Sequence, residues 1–580
     1  MTKPEHYARL LALQNAVKYK GSANAKALTG AMVGKYPEFK SRMDELVKLL
    51  EKVAKEINAL SPDEQTAELL KLNPDHFGQQ QAAKQQRKES RQELPPLKNA
   101  IDGKVVTRIP PEPSKYNHLG HALSFLINYL YAKRYNGTCV LRFEDTNPEK
   151  ATREFVEAMR EDVLEYLDIT PDRELFVSDD MNRFYEAAED LIRRGEAYTC
   201  SCSAEAMHDQ RRDMVGCEHR DQTTADNLLA WREMLGGNYR EGTMVVRLKV
   251  AVDHKNAVMR DPVILRIVEA KHYRHGAKYK VWPMYDFENA LEDSWCGVTH
   301  VMRSNEFETR IELQEHIKKL LDLPVQEVLQ YGRFNITGAT TQGREIRKMI
   351  EDGIVIGWDD PRLITLRALK RRGIVKEAYY ELAKVCGMSK TQTNLDFGVL
   401  AAINRRILDE TADRFSFVMD PVKIVVHGWP ADLDSAELKL HPHLKRGGRP
   451  LKLNGTFMLA HDDAEKVKKE GKVFRLIDTA NIVYDAKKKE FTFHSKTIDE
   501  YRAVPEAQRY GLVHFLPVVD GQELLKARVF KPTATYETGL LEPNARDLKP
   551  GDIVQLERYA FCRLDAVEKD GTRTFWYTHE

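Results

Sequence analysis

Between residues 101 and 169 the sequence alternates strand, turn, helix, strand and helix. Val105 and Val106 are strand-like, 119–135 has the spacing of an amphipathic helix, 138–143 is a second apolar strand, and 152–167 a second helix. Two strands joined through a helix pair in parallel, and this βαβ unit argues for a doubly wound α/β sheet of the Rossmann-like kind. The first strand-to-helix turn, 113–122, reads Pro-Ser-Lys-Tyr-Asn-His-Leu-Gly-His-Ala. A glycine there lets a purine approach the backbone closely, and the start of a helix offers N–H groups and a positive dipole end to phosphates. Imidazoles can donate to charge that builds on phosphorus. The pattern His-x-Gly-His is short, and its neighbours decide what it means.

At 580 residues the chain has room for roughly three to five domains. With 42% hydrophobic and 31% charged residues it reads as a soluble globular protein. No apolar run reaches the length of a membrane span, and the N-terminus lacks a signal h-region, so a cytoplasmic protein with no membrane partner is expected. Seven cysteines are too few for a disulfide framework in so long a chain. A net charge of +1 neither favours nor excludes nucleic acid.

The expected organisation is a helical region over 1–78, a polar linker over 79–100, and the first half of the sheet domain over 101–175. An insertion over 176–281, the second half of the sheet over 282–335 and a helical subdomain over 336–410 follow. From 411 to 580 short alternating strands predict two β-barrels.

At the end of the second strand stands Leu-Arg-Phe-Glu-Asp-Thr-Asn-Pro, 141–148. In a parallel sheet it lies beside the His turn, where ligands bind, although Asp-x-Asn-Pro is by itself also good turn chemistry. Taken with Arg-Ile-Pro-Pro-Glu-Pro (108–113) and His-Leu-Gly-His (118–121), it resembles the opening of class I glutamyl- and glutaminyl-tRNA synthetases of the archaeal and eukaryotic type. Further similar blocks follow in order: 282–287 (Trp-Pro-Met-Tyr-Asp-Phe), 297–303 (Gly-Val-Thr-His-Val-Met-Arg) and 357–362 (Gly-Trp-Asp-Asp-Pro-Arg). Near the end, 539–543 and 548–554 are also similar, so the resemblance covers nearly the whole chain.

The resemblance implies a class I synthetase core with an acceptor-end insertion, a helical subdomain and anticodon-binding barrels. It implies ATP, Mg2+, L-glutamate and tRNA(Glu) as partners, with tRNA(Gln) added if the source is archaeal. Pro111, His118, Gly120 and His121 are the implied ATP-binding and catalytic residues of the first signature. Arg108, Glu144, Tyr285, Asn289 and Arg303 are the implied amino-acid site, with Glu144 on the α-amino group. Glutaminyl enzymes carry a small uncharged residue at the position of Arg303, and a buried guanidinium facing a neutral amide loses its partner. Glutamate is therefore the expected substrate and glutamine the alternative.

Where the family has a second, Lys-Met-Ser-Lys-Ser-like signature, this chain has 340–348, Thr-Thr-Gln-Gly-Arg-Glu-Ile-Arg-Lys. Gly343 stands where the second lysine is expected, leaving Arg344, with Arg347 and Lys348 behind it, as the expected phosphate cation. A non-catalytic tRNA-binding relative is the alternative reading of this loss. Gly-Met-Ser-Lys-Thr at 387–391 spells the signature better but lies after the 357–362 block; its Ser389 reads as a helix N-cap and Lys390 as a solvated residue. Cys200, Cys202, Cys217 and His219 form two close pairs suited to a structural, four-coordinate zinc. The basic stretch 439–449 reads equally as a phosphate grip or a solvated turn.

Overall fold

The computed structural model describes residues 3–18, 21–73, 94–336, 340, 342–390 and 393–580. Most of the linker expected at 79–100, together with Thr341 and Thr391, lies outside the described residues. The chain divides into two compact units, Met1–Glu93 and Leu94–Glu580.

The first unit packs the helices Lys3–Lys18, Ala25–Lys35, Met43–Asn58 and Pro62–Leu72. Leu46, Leu50, Val53, Ala54 and Ile57 recur at the three- and four-residue spacing that makes one apolar face, and all are buried. Met43 and Val47, which the sequence also offers to that face, fall outside it and are 40% exposed. Ser61 and Glu64 form a capping box at the last helix, satisfying N–H groups that would otherwise lack partners.

In the second unit Val106–Ile109, Thr138–Phe143 and Arg173–Phe176 form a parallel sheet in that order. His300–Ser304 lies on the other side of the first strand, where the Thr299 N–H donates to Val106 O (2.9 Å), and it pairs in parallel with Glu327–Tyr331. The Leu119–Arg134 helix buries Leu119, Leu123 and Leu126 against Ile109, Leu141 and Phe143. The first strand runs from Val106, not from Val105 alone with its neighbour, and carries the charged Arg108 in its interior, buried because an acid meets it there. The second helix is α-helical over Arg153–Arg160 and then widens to a π-turn over Glu161–Tyr166.

An antiparallel meander, Ala197–Cys200, Val245–Leu248, Val263–Ile267 and Val281–Pro283, follows as a sheet of its own. Trp231, Trp282 and Phe287 fill the core beneath it. Helices Gly343–Glu351, Leu366–Arg372, Lys376–Cys386 and Phe397–Thr411 come next. Ser389 is no helix cap: it lies between the last two of these, its carbonyl accepting from Gly332 N–H (2.7 Å), while Asp396 caps the Phe397–Thr411 helix.

The C-terminal strands form two seven-stranded sheets. One begins with Asp413–Phe415 and ends with Phe417–Met419; the other begins with Arg509–Val513 and ends with Leu516–Pro517. The two edge strands of each sheet are consecutive in the chain, so one segment links both edges and each sheet is barrel-like. The second barrel, 421–517, is inserted into the first between residues 419 and 525. Within the basic stretch, Arg449 is buried and paired with Glu542 and Glu557, and His441 Nε2 bonds Asp409 O (2.9 Å). These two side chains are neither solvated nor available to phosphates.

Candidate active site

At the start of the Leu119–Arg134 helix His118 Nδ1 accepts from the Gly120 N–H (3.1 Å), and His121 Nδ1 from the His118 N–H (3.1 Å). The rings stack with centroids 3.8 Å apart. With both Nδ1 atoms accepting, the bonding pattern assigns the proton of each neutral ring to Nε2, leaving an Nε2–H donor on each. Burial, reinforced by the charge of Lys115, pushes the His118 imidazole down to about 3; burial and then His118 and Lys115 depress His121. Both are therefore neutral at neutral pH. A Cβ on Gly120 would stand 3.0 Å from His118 Cε1, so the capping ring itself requires glycine there. One expectation is corrected: the helix N–H groups are already engaged, Leu119 with Ile364 O, Gly120 with His118 and His121 with His118 O. The donors this turn can offer are side-chain ones. Pro111 is buried alongside, its carbonyl accepting from Glu144 N–H (3.0 Å).

Arg108, Arg142 and Arg303 enter from three neighbouring strands and are all buried. Asp293 Oδ1 accepts from Arg108 Nε (3.1 Å) and Arg142 Nη1 (2.9 Å). Burial alone would raise the Asp293 carboxyl, but these two guanidiniums hold it well below the usual carboxylate range. Arg142 Nη2 also donates to Glu144 Oε1 (2.9 Å) and Asn289 Oδ1 (3.4 Å). Burial raises Glu144, and Arg142 and Arg108 offset part of that rise.

Arg303 differs from the other two. Its Nη1 donates to Gln314 Oε1 (2.9 Å), which is held in turn by Asp286, while its Nε and Nη2 make no hydrogen bond of good geometry among the described residues, with the Tyr285 hydroxyl close enough to act on the guanidinium. The Asn289 amide nitrogen is likewise buried without a partner. Tyr285 and Asn289 sit one turn apart on the Tyr285–Trp295 helix, and the Tyr285 ring lies 5.4 Å from Phe307. The structure thus brings Arg108, Glu144, Tyr285, Asn289 and Arg303 into one buried, charged cluster at the carboxyl ends of the strands. Asp293 and Glu144 are the direct partners of Arg108 and Arg142, Glu288 and Glu292 also act on Arg142, and Asp286 acts on Arg303. The charges are thus of both signs, and it is the Nε and Nη2 donors of Arg303 in particular that suit the parallel oxygens of a carboxylate. Asp293 and Gln314 are members that the motifs left out, and Arg142 stands in the 141–148 block without having been assigned a role. Arg142 reads as an ordinary strand residue because its partner, Asp293, is far along the chain.

Gly343 opens the Gly343–Glu351 helix, directly against the His turn. Arg344 is exposed, and Arg347 Nη2 donates to Ser114 O (2.9 Å). Of the two, Arg347 rather than Arg344 touches the turn.

In the insertion, Cys200, Cys202, Cys217 and His219 bring their ligand atoms within 4.8 Å of one another. The Cys200 and Cys217 sulfurs are 3.8 Å apart, and His219 Nδ1 is 3.4 Å from Cys202 Sγ and 3.9 Å from Cys200 Sγ. A tetrahedron with zinc–sulfur bonds of about 2.3 Å has edges of about 3.8 Å, so the set fits zinc. His219 Nε2 bonds Ser201 Oγ (2.8 Å), fixing the ring so that Nδ1 faces the thiols. Arg247 Nη1 lies 3.8 Å from the Cys217 sulfur and 3.9 Å from the Cys200 sulfur; burial raises the Cys200 thiol and this contact offsets part of the rise.

Comparison with known proteins matches residues 104–410 to the catalytic domain of "tRNA synthetases class I (E and Q)". Residues 412–499 and 508–565 match two anti-codon binding domains of the same family. The chain is 39% identical to the glutamate–tRNA ligase of Pyrococcus abyssi, covering 97% of this chain and 98% of that protein. It is 38% identical to that of Korarchaeum cryptofilum (96% of each chain) and 36% identical to that of Methanothermobacter marburgensis (98% of each).

Proposed function

The chain belongs to the class I tRNA synthetases of the E and Q family, and from that premise we propose that it is a glutamate–tRNA ligase acting on tRNA(Glu). A glutamate α-carboxylate oxygen attacks the α-phosphorus of magnesium-bound ATP and the bond to the β-phosphate bridge breaks, giving glutamyl-adenylate and pyrophosphate. The terminal ribose of the tRNA then takes the glutamyl group and releases AMP. No side chain need act as nucleophile, so rate comes from positioning and from stabilising charge.

The observation that carries the choice of glutamate is the buried Arg303, two of whose N–H donors make no hydrogen bond of good geometry among the described residues. A side-chain carboxylate satisfies both donors and the charge; a carboxamide leaves a buried guanidinium without a counter-ion. Arg108 supports the same positive environment, Glu144 has an oxygen for the α-ammonium group, and Tyr285 and Asn289 flank the amino acid. His118 and His121 would donate through Nε2–H to phosphate charge, Pro111 would flank the base, Gly120 would leave room for the capping His118 ring, and Gly343 and Arg344 would face the triphosphate. Cys200, Cys202, Cys217 and His219 would hold a structural zinc, four protein ligands leaving no open position for chemistry.

ATP–pyrophosphate exchange with tRNA present tests the reading: glutamate should support exchange, and exchange with glutamine alone would contradict it. Charging of tRNA(Gln) with labelled glutamate, compared with tRNA(Glu), decides how many tRNAs are served. No helix among the described residues is long and apolar enough to cross a membrane, in keeping with a cytoplasmic enzyme.

A further inference from the structure

We propose that Lys115, seated on Gly343, is the cation that meets the triphosphate of ATP in this chain, in place of the lysine its second signature lacks. The inference rests on the ATP-dependent reading above and goes beyond it in naming the residue. Lys115 belongs to the His turn, three residues before His118. A Cβ on Gly343 would stand 3.3 Å from both Cβ and Cδ of Lys115, so the lysine stem lies flat on the bare backbone at the start of the Gly343–Glu351 helix. A side chain at 343 would have to push that stem aside. The glycine is therefore the seat of a cation delivered from the opposite segment.

The charges around Lys115 point the same way. Burial acts most strongly on Lys115 and lowers the pKa of its ammonium, while among the nearby charges Glu112 and Glu306 favour it and Arg333 opposes it; Glu306 is already paired with Arg333 at 2.8 Å. The charge of Lys115 acts on both imidazoles, so the ammonium and the two Nε2–H donors serve one region. The alternative cations are placed less well: Arg344 and Lys348 are exposed, and Arg347 is bonded to Ser114 O. Half-buried, the ammonium is less screened than any of these.

In the first step the acyl–phosphate bond forms as the bond from α-phosphorus to the bridging oxygen breaks, and the electron pair leaves on pyrophosphate. Lys115 donates hydrogen bonds to that growing charge without net proton transfer. Lys115→Met keeps the stem against Gly343 and removes the charge. It should slow glutamate-dependent ATP–pyrophosphate exchange on the order of 10²–10³-fold, the usual loss for one preorganised donor. Transfer from preformed glutamyl-adenylate to tRNA, which releases no pyrophosphate, should keep its rate. Lys115→Arg should recover most of the exchange. Exchange in Lys115→Met within about twofold of the unsubstituted protein, equal loss in both steps, or Lys115→Arg as slow as Lys115→Met would each overturn the proposal. Absence of glutamate-dependent exchange in the unsubstituted protein would instead overturn the ligase reading beneath it.

Discussion

Asp293 shows how much a single residue can hold in place. Its carboxylate is the shared counter-ion of Arg108 and Arg142, and both guanidiniums are cut off from water. Asp293→Asn should lower stability by about 3–5 kcal/mol, the usual result of stripping a buried charge of its partner. Chemical denaturation would register this, and an unchanged midpoint would show that the arginines find other partners. Arg303→Gln should raise the glutamate KM by at least about 10²-fold while tRNA affinity holds, because a charged hydrogen-bonded pair is lost at the substrate and not at the tRNA. At this scale the sequence was only partly legible. Arg108, Glu144, Tyr285, Asn289 and Arg303 were singled out from ordered motifs, each beside recognisable neighbours, and the structure places them close together. Asp293, Gln314 and Lys115 were not, since each matters through a partner far away in the chain. Arg449 looked like a solvated or phosphate-binding cation for the same reason: Glu542 and Glu557, its partners, sit just past the ends of two later strands, 93 and 108 residues along the chain.

At the scale of elements, local pattern was a good guide where apolar residues mark the element: the helix Leu119–Arg134 follows the expected spacing, and the strand Thr138–Phe143 is a run buried at every position after Thr138. The π-turn at Glu161–Tyr166 left no such signal. Its Asp162 is buried and accepts from Asn117 Nδ2 (3.1 Å), tying this turn to the His segment. Burial, only partly offset by the Asn117 hydrogen bond, pushes the Asp162 carboxyl up to about 7. An acid whose folded pKa lies above its unfolded value of about 3.9 binds more protons when folded, so its contribution to stability falls as pH rises between the two values. Asp162→Asn should therefore gain stability relative to the parent between pH 4 and pH 7 and keep that gain above it; a pH-independent difference in melting would contradict this. The cysteine pairs of the insertion make a sharper element-level case. Zinc content near one per chain is expected, and Cys217→Ser should lose it together with part of the insertion's thermal stability, whereas metal-free protein with unchanged melting would remove the zinc assignment.

Over the whole molecule, the sequence announced two barrels but not their nesting. Strand alternation reports that a strand exists, while the pairing of 413–419 with strands beyond 525 is a long-range choice that local pattern does not encode. That arrangement brings the C-terminal strands back to the helices that follow the Gly-Trp-Asp-Asp-Pro-Arg block. Arg371 pairs there with Asp565 (2.7 and 2.8 Å) and Asp359 (2.7 Å) and lies 4.0 Å over the Trp576 ring, while Arg372 donates to Thr578 O (3.0 Å). Arg371→Ala should uncouple the barrel from the core, splitting one calorimetric transition into two or broadening it; a single, equally sharp transition would mean the contact carries little.

The account as a whole depends on Arg303 facing a carboxylate. ATP–pyrophosphate exchange, run with tRNA and with glutamate or glutamine in parallel for the parent protein and Arg303→Gln, tests this most directly. The expected result is strong exchange with glutamate, little or none with glutamine, and loss of the glutamate signal in the variant at ordinary substrate concentration. Exchange with glutamine alone, or a variant as active with glutamate as the parent, would contradict it.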